Sequence, residues 1–256
     1  MIVTSHGPLR SWHHPDFPLG HRFFGRQGGA SQFPFTSFNT AWRTEDPHAG
    51  ENRLLLLQHL GLHHRPGRIL NPCHGENIAF VQEDAWQQEQ VGVLLQTDGG
   101  ISRKQGSWLL VSTADCIPML ITDEKQTFAG VVHLGWRNVV ANLAGKVVQR
   151  IYQEYGIHSQ SLILLLGPAI YPCCYRFTDP IQRHDPFWQP FLQQGEDGWY
   201  AIDLLAATRA QLQANGIPAH NILESGLCTG CLTKDFFSCY KEGYRSGRFP
   251  SVIWLD

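Results

Sequence analysis

Cys116 and His133 each stand where a short apolar run gives way to a loop. The stretch from Leu109 to Arg137 reads LLVSTADCIPMLITDEKQTFAGVVHLGWR. One apolar run, Trp108 to Val111, ends in Ser112-Thr113-Ala114-Asp115-Cys116. A second, Pro118 to Ile121, passes through Asp123-Glu124-Lys125 into a third, Phe128 to His133, which stops at Leu134-Gly135-Trp136-Arg137. A thiol and an imidazole are soft, deprotonatable groups, suited either to a metal site or to a nucleophile with its base. His74 has a similar position, in the connection Asn71-Pro72-Cys73-His74-Gly75-Glu76-Asn77 between Ile69-Leu70 and Ile78-Ala79-Phe80-Val81.

Zinc held by His74, Cys116 and His133 would keep its fourth position open, the arrangement of catalytic sites, and would lower the pKa of bound water. The plainer reading is a buried Cys116 beside two unrelated histidines. Two arginines are candidates for holding an anion. Arg137 precedes a helical pattern with Asn138 as its expected N-cap, where backbone N–H groups and a guanidinium favour phosphate or carboxylate. Arg26 lies beside Gly28-Gly29, a pair that permits close backbone approach to a small anion or simply makes a turn. The remaining cysteines offer no complete site on sequence grounds. Cys173 and Cys174 are adjacent and read as packed or spare thiols, and Cys228-Thr229-Gly230-Cys231 supplies two of about four ligands that a structural zinc needs. One zinc per chain is the expectation. The zinc deaminase signature H-x-E with P-C-x-x-C is only superficially matched by His74-Gly75-Glu76 and Cys228 to Cys231, because Leu227 stands where proline belongs. Glu76 stays a candidate general base.

The elements that must position these groups are mostly short. Apolar runs bounded by turn residues read as buried strands, and strand ends are where α/β proteins keep their ligands. Phe33 to Asn39 alternates like a half-buried strand, Val91 to Leu95 and Ser161 to Leu166 are apolar runs, and Ser251 to Leu255 closes the chain as a strand. Gly50 to Gly61 reads as a helix closed by glycine. A second helix runs from Asn138 to Gly156 with apolar residues at helical spacing, and a third starts at the cap Asp203 and ends at Gly216. No repeat, heptad, low-complexity segment or linker interrupts the chain. Strand signals from the first third to the end make it one domain over residues 1–256.

Composition narrows the class. Hydrophobic residues make up 43% and charged residues 16% of 256 residues, which describes a folded globular chain with a sizeable core. The formal net charge of -2 provides no global field for nucleic acid or for a membrane surface. The start of the chain lacks a secretory pattern, and no run approaches the roughly 20 apolar residues of a membrane span. Seven cysteines, an odd number, argue against a secreted disulfide framework. A cytoplasmic protein is expected.

Five motifs in order carry a family resemblance: Cys73-His74-Gly75, Thr113-Ala114-Asp115-Cys116-Ile117-Pro118, His133-Leu134-Gly135-Trp136-Arg137, Gly167-Pro168-Ala169-Ile170 and Phe236-Phe237-Ser238. With Arg26-Gln27-Gly28-Gly29 and Ser246-Gly247-Arg248 at the two ends, the chain resembles the YfiH-type proteins, also called the laccase-domain or polyphenol oxidase family. The resemblance implies an α+β fold, a mixed β-sheet layered with helices. It also implies His74, Cys116 and His133 as metal ligands, and activity on purine nucleosides: phosphorolysis of adenosine, inosine and methylthioadenosine, and deamination of adenosine. Copper-dependent oxidation of phenols is attributed to the same family. This sequence departs from the pattern at Pro72-Cys73 before the metal histidine, at Leu134 and Asn138, and at Cys239-Tyr240-Lys241, where the family has a basic run. Pro72 removes a backbone donor beside the site and Cys73 adds a competing thiol.

Four functions follow from these readings. The first is a zinc-dependent enzyme taking a purine nucleoside and inorganic phosphate, with Arg137 and Arg26 holding negative charge. The second is a copper oxidase with Met119 near Cys116, although multicopper chemistry needs many more clustered histidines. The third is a metal-free cysteine hydrolase using Cys116 and His133. The fourth is a non-catalytic binding module that kept the pocket.

Overall fold

The three apolar runs of the central stretch become consecutive strands, and the chain changes sheet between the first and the second. A computed structural model describes the backbone of residues 1–256 and every side chain except that of His6. One sheet has seven strands: β1 (Ile2–His6), β2 (Leu9–His13), β3 (Gly20–Phe24), β16 (Phe249–Trp254), β8 (Trp108–Thr113), β4 (Gly67–Asn71) and β6 (Val91–Leu95), in that spatial order. Its first five are antiparallel, while β8, β4 and β6 run parallel. The second sheet has six: β15 (Ile222–Glu224), β11 (Leu162–Leu166), β9 (Ile117–Asp123), β10 (Ala129–Leu134), β7 (Gly99–Ser102) and β5 (Ile78–Val81). There β15 and β11 pair in parallel, as do β7 and β5, and the rest are antiparallel. A small third sheet holds β12 (Arg176–Phe177), β14 (Tyr200–Ile202) and β13 (Leu192–Gln194). The fold is α+β.

Side chains alternate across each strand, and the central strands β8, β9 and β10 are buried on both faces. Leu109 and Val111 of β8 meet Leu120 of β9, Val131 of β10 and Leu165 of β11 in the core between the sheets. Leu110 faces the other way, towards Leu56 and Leu57 of α1 (Ala49–His59). On the far side of the second sheet, Met119, Ile121, Val132 and Leu164 pack against helices. After α2 (Glu83–Gln88), those helices are α3 (Trp136–Val140), α4 (Leu143–Tyr155) and α5 (Leu204–Ala214), followed in sequence by the short α6 (Cys239–Glu242). Burial on both faces is why the strands read as continuous apolar runs and not as alternating ones.

Two expectations are corrected. Phe33 to Asn39 forms turns, not a strand, and Phe38 reaches the core from a loop. The helix expected from Asn138 to Gly156 is two helices, because Asn142 adopts a left-handed conformation with φ 54° and breaks it. Asp203 does cap α5, accepting from the Ala206 N–H at 2.8 Å. Among the described residues, no helix is long and apolar enough to cross a membrane.

Candidate metal centre and active-site cavity

β4, β6 and β8 are parallel neighbours, so their C-terminal ends lie at one edge of the sandwich. From each of these ends the chain crosses to the second sheet: β4 to β5, β6 to β7 and β8 to β9. His74 lies on the first crossing, Asp98 on the second and Cys116 on the third. Left-handed backbone makes each of the three turns sharp, at His74 (φ 59°), Gln96 (φ 49°) and Asp115 (φ 80°). Asp is among the few residues that tolerate this region, because its short side chain bonds locally. Asp115 is buried, with Oδ1 accepting from Thr229 Oγ1 and Oδ2 from the Tyr240 N–H, both at 2.6 Å.

His133 comes from β10, whose register sets Leu134 opposite Ile117 and so carries His133 and Gly135 beside Cys116. The potential ligand atoms of His74, Cys116 and His133 all lie within 4.8 Å of one another. The rings of His74 and His133 meet edge to face with centroids 4.8 Å apart. Gly135 makes the approach possible, since a Cβ there would stand 2.6 Å from His74 Nδ1 and 3.1 Å from Cys116 Sγ.

Asp98 organises the cluster. It is fully buried and accepts from His133 Nδ1 at 2.9 Å, from the backbone N–H groups of Cys73, His74 and Gly75 at 3.1, 3.0 and 2.9 Å, and from Asn138 Nδ2 at 3.3 Å. Burial alone would raise its pKa, but the His133 hydrogen bond and the backbone donors outweigh that and hold it down at about 2. Burial likewise opposes charge on His133, yet the Cys116 sulfur and Asp98 push its pKa up to about 9. His74 is lowered to about 4, by burial and then by His133 beside it. With Nδ1 engaged by Asp98, His133 has Nε2 left as a ligand atom, the carboxylate–histidine pairing that fixes a metal ligand's tautomer. Asn138 is not the expected N-cap. It sits in the first turn of α3, accepts from the Gly135 N–H at 2.9 Å and donates to the Gly75 carbonyl at 2.7 Å, so it joins the His74 and His133 loops.

A cavity of about 450 Å³ opens over these residues, large enough for a small organic ligand. His133 lies buried beneath it and Arg137 is exposed at its edge. Tyr175, Phe177 and Tyr240 form one wall, with centroid separations of 4.9, 5.7 and 5.5 Å among the three rings. Arg248 also lines the cavity, but it donates to the carbonyls of Ser246, Gly247 and Tyr244. The aromatic wall and Arg248 were missed because nothing in their local sequence shows that these loops meet; stacking-competent residues after the Gly167-Pro168 turn were the available signal.

The other candidates are placed elsewhere. Arg26 does not line the cavity: it pairs with Glu242 at 2.6 Å, donates to the carbonyls of Thr233 and Thr36, and lies over the Phe237 ring. Its donors are occupied in tying two loops together. At Gly28 and Gly29 a Cβ would meet the carbonyl oxygens of Pro8 and Ser37, so these glycines serve close packing beside groups that repel an anion. Glu76 pairs with Lys146 on the surface. Cys73 approaches Asp98 at 3.4 Å and does not join the ligand group. Arg137 lies over the Trp136 ring, and among the described residues no carboxylate pairs with it. Met119 packs in the helix-side core and does not line the cavity. Cys228 and Cys231 lie in a different group, with Cys173 and Cys174, so the two thiols read as packed or spare are packed against the C-x-x-C pair.

Comparison with known proteins identifies the family and the fold. Residues 20–256 match the family described as multi-copper polyphenol oxidoreductase laccase. A purine nucleoside phosphorylase from Pseudomonas aeruginosa is 31% identical over 97% of this chain and 100% of its own length. The adenosine deaminase RL5 of an unknown prokaryotic organism is 34% identical over 79% of this chain and 80% of its own. The crystal structure of YlmD from Geobacillus stearothermophilus superposes with a TM-score of 0.87 at 26% identity, covering 99% of this chain and 98% of that one.

Proposed function

The chain belongs to the multi-copper polyphenol oxidoreductase laccase family, and from that premise we propose that it is a zinc-dependent purine nucleoside enzyme, one catalytic domain over residues 1–256. Its reactions are phosphorolysis of adenosine, inosine or methylthioadenosine and deamination of adenosine, the substrates that the family resemblance implies; relatives named purine nucleoside phosphorylase and adenosine deaminase support the two reaction types. The observation that carries this is the cavity: a two-histidine, one-cysteine group below, an aromatic wall beside it, and at its edge a cation with no carboxylate partner among the described residues.

His74, Cys116 and His133 fit zinc, because both imidazole and thiolate are its ligands and because Asp98 orients His133 as a zinc-bound histidine is oriented. Zinc bound by three protein ligands supplies a Lewis acid with an open position. The aromatic wall stacks the base and excludes water from one side of the glycosidic bond. Arg137 holds phosphate through charge-assisted hydrogen bonds, which favour a multiply charged anion over neutral water. A multicopper centre fits poorly, because among the described residues only two histidines converge here and Met119 is in the core.

Chromatography of the products from adenosine, with and without phosphate, tests the reading. Adenine and ribose 1-phosphate appearing only with phosphate report phosphorolysis, and inosine in either case reports deamination. A zinc-loaded protein that converts no nucleoside would overturn the proposal. The Asp98, His133 and Cys116 sequence of contacts also suits a metal-free cysteine nucleophile. Nucleoside conversion that survives removal of all metal and stops on Cys116 alkylation would favour that second reading.

A further inference from the structure

Four cysteines outside the cavity converge as closely as the three residues inside it. Cys173 Sγ lies 3.6 Å from Cys228 Sγ and 3.5 Å from Cys231 Sγ, and Cys174 Sγ lies 3.4 Å from Cys231 Sγ. All four sulfurs are within 4.8 Å of one another. We propose that Cys173, Cys174, Cys228 and Cys231 bind a second zinc ion in a closed, structural tetrathiolate site.

The spacing suits that ion. Zinc–sulfur bonds of about 2.3 Å in a tetrahedron set the sulfurs roughly 3.8 Å apart, whereas a disulfide needs about 2.05 Å. Packing four thiols this closely without a bond between any two leaves each sulfur against another sulfur, and a divalent cation at the centre turns that mutual repulsion into attraction as the thiols deprotonate. Two further features support a built site. The Tyr171 N–H points to Cys228 Sγ at 3.5 Å, a donor that stabilises thiolate charge. At Gly230, inside the C-x-x-C turn, a Cβ would stand 2.7 Å from Cys174 Cβ and 3.0 Å from its sulfur, so only glycine lets the two loops come together.

The topology explains how distant pairs meet. β11 and β15 are parallel neighbours, so the loops that follow them leave the same sheet edge, and a bridge between Ala169 and Cys228 continues the pairing. A tight turn, with the Cys174 and Tyr175 N–H groups both bonded to the Tyr171 carbonyl at 2.9 Å, brings two consecutive sulfurs to one side. The ion would fasten the loop that delivers Tyr175 to the cavity to the loop whose Thr229 grips Asp115.

Metal content distinguishes the two sites. The full-length chain, purified without added metal or chelator, is measured by mass spectrometry of the elements as wild type, as Cys116→Ser and as Cys173→Ser/Cys231→Ser. Two zinc ions in the wild type and one in each variant are expected. Cys116→Ser leaves the four-cysteine group intact, so its zinc count decides the proposal even if the double variant fails to fold. A wild type with a single zinc that Cys116→Ser retains supports the site as well. Cobalt(II) in the Cys116→Ser protein should show the intense sulfur-to-metal absorption of four thiolates. The proposal is overturned if Cys116→Ser holds no zinc, if iron or copper fills the site, or if intact mass shows two disulfides among these cysteines.

Discussion

His133 Nδ1 lies 2.9 Å from Asp98 Oδ1, and the same buried carboxylate takes the backbone N–H of His74 at 3.0 Å. One acid therefore sets the tautomer of one candidate ligand and the loop position of another. Asp98→Asn would turn an amide NH₂ towards N–H donors whichever way it is oriented. Metal affinity should fall about ten- to a hundredfold, with the fold retained. A competition titration against a zinc chelator measures it, and unchanged affinity would remove Asp98 from its organising role.

Gly135→Ala should empty the centre more completely than its size suggests. The added methyl would meet His74 Nδ1 at 2.6 Å, and His74 belongs to an exposed loop that can give way. Two ligands would remain, and stable zinc binding needs at least three. Elemental analysis should show loss of the ion held by Cys116 while circular dichroism stays unchanged. If zinc persists in full, the crowding at Gly135 does not control the site.

Arg137→Ala should depress phosphorolysis by roughly ten- to a hundredfold, equivalent to about 1.4 to 2.7 kcal/mol and within the range of a hydrogen bond to a charged group. Deamination, which consumes water and no anion, should fall much less. The ratio of adenine to inosine formed from adenosine in phosphate buffer reports the difference. Equal loss of both products would assign Arg137 to the shape of the cavity instead.

Stability should decline in mild acid because of His21. This ring is 2% exposed, bonds to the Leu19 carbonyl and accepts the His14 N–H, and burial lowers its pKa from 6.5 to about 4. Between those two values the unfolded chain binds a proton that the folded chain refuses, so unfolding free energy falls as pH drops from 6.5 towards about 4. The full effect is on the order of 3 kcal/mol. Urea denaturation across this range should show a steeper loss for wild type than for His21→Gln, and parallel curves would clear His21 of the effect.

The sequence made the centre legible where chemistry and strand ends coincide. His74, Cys116 and His133 stand out because each is of a residue type able to ligate a metal and stands at the border of an apolar run, and the crossings between sheets bring those borders to one edge. Asp98 was illegible because its carboxylate is defined by what it receives from the Cys73 to Gly75 loop, a contact across some two dozen residues that no local pattern encodes. The four-cysteine group was hidden for the same reason: its two pairs are adjacent only because β11 and β15 run side by side. The continuous apolar runs announced buried strands but not their division into two sheets, since a strand covered on both faces looks the same in either. The Asn142 break was hidden because apolar spacing continues through it while one residue adopts φ 54°.

The place of β16 has a consequence for the chain as it is being made. This strand lies between β3 and β8, holding the N-terminal hairpin strands to the parallel half of the sheet. Until residues 249–254 have been synthesised, β3 and β8 each present an open backbone edge, and such edges invite pairing with other chains. The crossings that carry His74, Asp98 and Cys116 are by then already outside the ribosome. The second sheet, whose last strand ends at Glu224, is complete in sequence before the first receives its middle strand.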